Sequence, residues 1–380
     1  MITISSRFDS GNIDVVDDRS SDDIRLRIRK DLDSDFYQWF HYRLQGAKGQ
    51  TCRMRILNAS EAAYPKGWEN YHAVASYDRQ EWFRVPSHYD GNELLIEHQP
   101  ECDSVYYAYF APYSWERHQD LVGWAQQSPH CQLIALGSTL DGRDLDLLKI
   151  SEDNGDSERQ KRKVWITARQ HPGESMAEWF MEGVIGKLLD SSDPEARSLL
   201  AQADFYLLPN MNPDGSVRGH LRTNAAGVNL NREWHAPSLE RSPEVYHVSA
   251  KMDEVGVDLF LDIHGDEALP YNFVAGCEAN PGYSQRIASL EAQFKSHYKQ
   301  ASPDFQDQYG YGIDQFGDET LTLACNQVGQ RFDCLSFTIE MPFKDNDDLP
   351  DPVQGWSPER SEKLGEAVLQ PILAVMDKLR

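Results

Sequence analysis

Lys163-Val-Trp-Ile-Thr-Ala-Arg-Gln170 runs directly into His171-Pro-Gly-Glu174, and this junction decides how the chain reads. Its Val164–Thr167 run is short and nearly continuously apolar, as a strand covered on both faces must be. Proline and glycine then bend the backbone, and the helical periodicity Met176–Leu189 follows. Strand, turn and helix in that order are the unit of an α/β sheet, whose ligands sit beyond the carboxyl ends of its strands. His171 and Glu174 therefore fall where chemistry is expected.

Three further apolar runs of the same kind, Phe205–Leu208, Val257–Ile263 and Leu335–Met341, alternate with amphipathic stretches at Glu244–Val255, Tyr283–Tyr298 and Pro358–Leu379. Residues 114–380 are thus predicted to form one α/β domain, entered through a connecting helix at Trp115–Gln126. Upstream, residues 1–113 have a different cadence. Short alternating or aromatic runs (Ile24–Ile28, Phe36–Leu44, Thr51–Leu57, Glu81–Val85, Leu94–Glu97, Val105–Phe110) are separated by turn residues such as Tyr64-Pro-Lys-Gly67 and Asp90-Gly-Asn92. That pattern predicts an antiparallel β-sandwich.

Composition narrows the function. The 380 residues carry 37 basic and 61 acidic side chains, a net charge of −24 that repels phosphate backbones and anionic membrane surfaces. Nucleic acid and membranes are not expected partners, and no apolar run approaches the ~18–20 residues of a membrane span. The start, Met1-Ile-Thr-Ile-Ser-Ser-Arg-Phe-Asp9, lacks a basic segment followed by an apolar one, so a cytoplasmic protein is expected. Six cysteines without a C-x-x-C pair fit reduced thiols. Nothing in the sequence fixes an oligomeric state. Nucleotide-binding and serine-hydrolase signatures are absent.

A second imidazole follows a strand at His264-Gly-Asp-Glu267. Two histidines and a carboxylate on one sheet edge are the donor set of a catalytic zinc. H-x-x-E alone discriminates poorly, since it occurs at His98/Glu101, His171/Glu174 and His264/Glu267. Position selects the second, because His98 lies in the β-rich third. Further on, Asn212-Pro-Asp-Gly215 is a strong turn leading through Arg218 and Arg222 to Asn229-Leu-Asn231-Arg232. Arginines beside an amide after a strand end can grip a carboxylate bidentately, or simply form a solvated loop. Glu340 is a single carboxylate at the end of an otherwise apolar run, which requires either a buried ion pair or a catalytic role. His220, His235 and His247 read as surface or satisfied histidines.

Taken in order, His171-Pro-Gly-Glu174, Asn212-Pro-Asp-Gly215, Arg222, Asn231-Arg232, Asp262-Ile-His264-Gly265 and Thr338-Ile-Glu340 resemble the zinc metallocarboxypeptidases. Within them the resemblance is to the cytosolic carboxypeptidase branch, whose N-terminal β-sandwich Tyr71–Val85 and Tyr106–Tyr113 also resemble. It implies a mixed, mostly parallel eight-stranded sheet flanked by helices. It further implies Zn2+ on His171, Glu174 and His264, with Glu340 as general base and acid. Arg222 matches the residue that stabilises the oxyanion, and Asn231 and Arg232 the pair that holds the terminal carboxylate of a peptide substrate.

Three positions depart from the family pattern. Asn229 stands where the family usually has an aspartate behind the first histidine. Cys325, fifteen positions before Glu340, replaces the basic residue of deglutamylating members, for which Arg331 or Lys344 are candidate substitutes. The mobile tyrosine corresponds to Tyr309 or Tyr311, of which Tyr311 is preferred. Rival readings are a zinc amidohydrolase of N-acyl amino acids and a catalytically degenerate protein-binding module.

Overall fold

The structure is a computed structural model that describes residues 2–152, 161–313 and 315–380. Two five-stranded sheets occupy the first third. In one, Thr3–Ser5, His41–Gln45, Ser104–Ala108, Val74–Ser76 and Phe83–Arg84 are neighbours in that order and all pair antiparallel. The other runs Asp14–Asp17, Ile24–Arg27, Cys52–Ile56, Leu94–His98 and Ser87–Tyr89. The strands alternate as the sequence predicts: Ile24 and Leu26 are buried while Arg25 and Arg27 face out. Tyr42 of the first sheet donates its hydroxyl to Met54 Sδ of the second at 3.2 Å, which bridges the two inner faces.

The expectation of a purely antiparallel sandwich is corrected by one pairing. Ile24–Arg27 and Cys52–Ile56 lie parallel. Between them the chain crosses to the other sheet as strand His41–Gln45, and such a crossover is what a parallel pair requires. Alternation of apolar residues carries no signal of it.

The larger sheet has seven strands among the described residues, not eight. Its order is Cys131–Ser138, Asp144–Ile150, Ala203–Leu208, Arg162–Ala168, Leu259–Asp266, Leu335–Pro342 and Phe273–Ala275. The four inner strands are parallel, and each edge is antiparallel, so the sheet is mixed with as many antiparallel as parallel pairings. Only the inner strands carry the continuous apolar signature, because only they are covered on both faces; every residue of Ala203–Leu208 is buried.

Alternate side chains serve opposite faces. Ile166, Leu207, Leu261 and Phe337 join helices Met176–Leu188, Gln285–Ala301 and Pro358–Ala367 in the main core. Trp165, Tyr206 and Phe260 meet helices Pro243–Val255 and Ala324–Phe332 in a second cluster. The C-terminal stretch is broken rather than one helix over Pro358–Leu379. It divides into Pro358–Ala367, Leu369–Val375 and a short turn. Pro371 lacks the N–H that would bond residue 367 and its ring clashes with that carbonyl, so the helix restarts.

Candidate active site

Three parallel strands deliver the cluster to one edge. Arg162–Ala168 ends before the His171-Pro-Gly-Glu174 turn, and Leu259–Asp266 carries His264. Leu335–Pro342 places Glu340 directly opposite His264 in register. The exit from the first strand is a strained turn. Arg169 adopts φ +60°, a left-handed conformation costly for a residue with a Cβ. Its buried guanidinium fixes that turn, donating to Pro172 O at 3.0 Å, Tyr113 O at 2.8 Å and Glu178 at 2.6 Å. Gly173 donates its N–H to Leu221 O at 2.9 Å, and a Cβ there would meet the same oxygen at 3.0 Å.

His171, Glu174 and His264 are buried, and one donor atom from each lies within 4.8 Å of the others. Both imidazoles point inward through Nδ1. His171 Nδ1 is 2.6 Å from Glu174 Oε1, His264 Nδ1 is 2.8 Å from Glu174 Oε2, and the two Nδ1 atoms are 3.2 Å apart. Each Nε2 faces an acceptor, Asn229 Oδ1 at 3.0 Å for His171 and Asp262 Oδ2 at 2.7 Å for His264. When each ring carries its proton on Nε2, toward that acceptor, both Nδ1 lone pairs and the Glu174 carboxylate are left aimed at one point. A cation answers that convergence, and N, N and O donors suit zinc.

The same field acts on protons. Burial works against a charge on His264, yet Asp262 and Glu174 outweigh it and hold its pKa well above the ordinary value. Burial and the Arg222 charge push His171 down to about 4. The contrast follows the outer partners, a carboxylate behind His264 and a neutral amide behind His171. Asp262 is itself fixed by Thr167 Oγ1 at 2.8 Å and by Gln170 Nε2, whose own Oε1 accepts from Trp234 Nε1.

A cavity of about 540 Å³ opens onto this cluster and is lined also by Tyr64, Arg222, Asn231, Arg232, Glu267, Tyr311, Cys325 and Glu340. Glu340 is buried. Its Oε1 lies 3.2 Å from Tyr311 Oη, while Oε2 has no hydrogen-bond partner among the described residues. Burial, reinforced by Glu174, Asp266 and Glu267, raises its pKa well above the usual carboxylate range. Both candidate tyrosines line the cavity; Tyr311 donates to Asp266 Oδ2 at 2.6 Å beside Glu340, whereas the Tyr309 ring stacks on Tyr271 with centroids 4.4 Å apart.

Arg222 lies over the Phe36 and Tyr64 rings at 5.5 and 5.4 Å, and Arg232 donates to Asn231 O. Neither makes an ion pair among the described residues. Cys325 is buried in the cavity wall with Sγ 3.3 Å from Ser336 O. Arg331 pairs with exposed Asp253 and Lys344 reaches Lys66 O, so neither cation enters the cavity. Lys295 does line it, bonded to Glu291.

Among the H-x-x-E matches, His171 and His264 both meet Glu174, His264 does not pair with Glu267, and His98 Nδ1 meets Tyr107 Oη at 2.8 Å within the β-rich third. Tyr64, Phe36 and Glu267 were not anticipated. A buried acid directly after His264 was the available signal for Glu267; the aromatic pair left none.

Residues 118–364 match the family model described as zinc carboxypeptidase, and residues 4–110 match the one described as cytosolic carboxypeptidase N-terminal domain. The chain belongs to the zinc carboxypeptidase family. It is a metallocarboxypeptidase, a zinc-dependent exopeptidase acting on peptide C-termini. It is similar to a metallo-carboxypeptidase from Burkholderia cenocepacia at 52% identity and TM-score 0.97, covering 99% of this chain and 100% of that one. A metallo-carboxypeptidase from Pseudomonas aeruginosa in complex with (2-guanidinoethylmercapto)succinic acid is 50% identical, with TM-score 0.96 and full coverage of both chains. Cytosolic carboxypeptidase 6 of Caenorhabditis elegans is 25% identical over 403 residues, covering 98% of this chain and 86% of that protein. Among the described residues no helix is long and apolar enough to cross a membrane, and all six cysteines are free.

Proposed function

We propose that this carboxypeptidase removes the terminal residue of a peptide or peptide-like branch, with Glu340 as general base and acid and with Asn231 and Arg232 holding the free carboxylate. The observation that carries this reading is the pair of unpaired guanidiniums. In a chain with a net charge of −24, Arg222 and Arg232 line the cavity of the histidine cluster and find no carboxylate among the described residues. Arginines so placed are held for an anion that arrives with substrate.

His171, Glu174 and His264 would hold the zinc, which supplies a Lewis acid that polarises the scissile carbonyl and acidifies a water. Glu340, with one buried oxygen free, takes a proton from the attacking water and delivers it to the leaving amine nitrogen as the C–N bond breaks. Arg222 faces the oxygen on which negative charge develops. Tyr311 closes over the substrate from the loop beside Glu340. Residues 1–113 and 114–380 are assigned as two domains of one cytoplasmic enzyme, the reduced thiols being in keeping with that compartment.

Digestion of a peptide library with free and with amidated C-termini, with and without chelator, tests the reading by mass spectrometry. Single-residue losses from free ends alone, abolished by chelator, are expected. Equal trimming of amidated peptides would overturn it.

A further inference from the structure

The loop that carries Arg222 is held by residues nearly two hundred positions earlier. Asp31 is only 2% exposed and accepts from the N–H groups of Leu221, Arg222 and Thr223 at 2.7, 2.8 and 2.9 Å, and from Thr223 Oγ1 at 3.1 Å. Three successive backbone donors closing on one carboxylate form an anion nest, and each bond is charge-assisted.

Neighbouring contacts moor the same loop. Leu32 N donates to His220 Nε2 at 3.1 Å, so His220 Nδ1 carries the proton it gives to Thr223 O at 3.0 Å. Asn12 Nδ2 donates to Gly219 O at 2.8 Å. Gly227 has φ +70°, and a Cβ on it would stand 2.6 Å from Asp33 O. Connecting segments of the same N-terminal third also supply Phe36 and Tyr64, the two rings under the Arg222 guanidinium.

We propose that Asp31 is a positioning residue for Arg222, so that the loops of the N-terminal third complete the active site instead of merely adjoining it. The proposal rests on the oxyanion role given to Arg222 above. With no ion pair among the described residues, the aim of that guanidinium depends on its backbone and on the two rings. Displacing a reacting or stabilising group by about 1 Å costs on the order of 10²-fold in rate. An asparagine cannot substitute for Asp31, because it offers one accepting oxygen and turns an NH2 donor toward N–H donors, leaving buried groups unpaired.

The test is a double-mutant cycle on zinc-loaded enzyme with a free-ended peptide that the wild type cleaves: D31N, R222A and the D31N/R222A double variant, together with F36L and F36L/R222A. D31N should lower kcat about 10- to 10²-fold with KM changed less than about threefold and with full zinc content. In the R222A background D31N should add less than about twofold, since it acts through the missing side chain. F36L should cost a few-fold and likewise fall silent without Arg222. Losses that multiply in the double variants, an unchanged kcat in D31N, or an effect confined to KM or zinc content would each overturn the proposal. If circular dichroism finds D31N unfolded, the F36L pair decides by the same criterion. A wild-type kcat in R222A would instead overturn the role given to Arg222.

Discussion

Asn229→Asp asks how far the outer partner of His171, proposed above as a zinc ligand, sets the strength of its hold on the metal. His264 leans on Asp262 Oδ2 at 2.7 Å, whereas His171 leans on Asn229 Oδ1 at 3.0 Å. A hydrogen bond to a charged group is worth about 1.5–3 kcal/mol net and a neutral one about 0.5–1.5. A carboxylate at 229 therefore strengthens the hold on Nε2–H by about 1 kcal/mol or more and makes Nδ1 a better donor. Desolvating the new charge takes part of this back, but Asn229 is only half-buried. The Arg222 charge that depresses His171 favours an aspartate, as does the Asn231 N–H 3.0 Å from Oδ1. The net is about 1.4 kcal/mol, or roughly tenfold tighter zinc, at the lower end of the range for such partners. Titrating metal-depleted protein against a colorimetric chelator at pH 7 measures it. N229D should rank above wild type and N229A below. Equal affinity in N229D and wild type would refute control of His171 by its outer partner.

Three other variants follow from the site and its surroundings. Glu340→Gln should retain zinc yet lose about 10²-fold or more in kcat, the usual worth of general acid–base catalysis; full turnover would remove Glu340 from the reaction. Arg232→Ala should reduce the preference for free over amidated ends, seen as a rise in KM for free-ended peptides only, and an unchanged preference rejects the carboxylate grip. Glu244 is buried in the first turn of helix Pro243–Val255, with one oxygen 3.2 Å from Asn224 Nδ2 and the other unpartnered among the described residues. Burial pushes its carboxyl from 4.5 up to about 7, despite the help a helix N-terminus gives an anion. The native state thus keeps a proton that the unfolded chain releases, and this contribution to stability falls as pH rises from about 4.5 to 7. Urea unfolding of Glu244→Gln should show a gain over wild type of up to about 3 kcal/mol at pH 8 that vanishes near pH 4.5. Parallel pH profiles would refute it.

The histidine–glutamate cluster was legible because its members punctuate apolar runs: a strand covered on both faces cannot carry His264 or Glu340 without a reason, and each stands where the run ends. What stayed hidden depends on tertiary neighbours. Asp31 binds backbone N–H groups, which every residue has, so no residue type at 221–223 announces it. Phe36 reads as the start of a strand run and Tyr64 as part of a turn until Arg222 is brought over them. The parallel pair at Ile24–Arg27 and Cys52–Ile56 leaves alternation unchanged. The break before Leu369 was written in the sequence, since Pro371 cannot continue a helix.

Strand Leu335–Pro342 lies between Leu259–Asp266 and Phe273–Ala275, both made earlier, and Phe273–Ala275 pairs with nothing else in the sheet. During synthesis the gap stays open until that late segment emerges from the ribosome. The keystone of the sheet is also the segment bearing Glu340, so a nascent or truncated chain would lack the base proposed above for the same reason that it is unfinished.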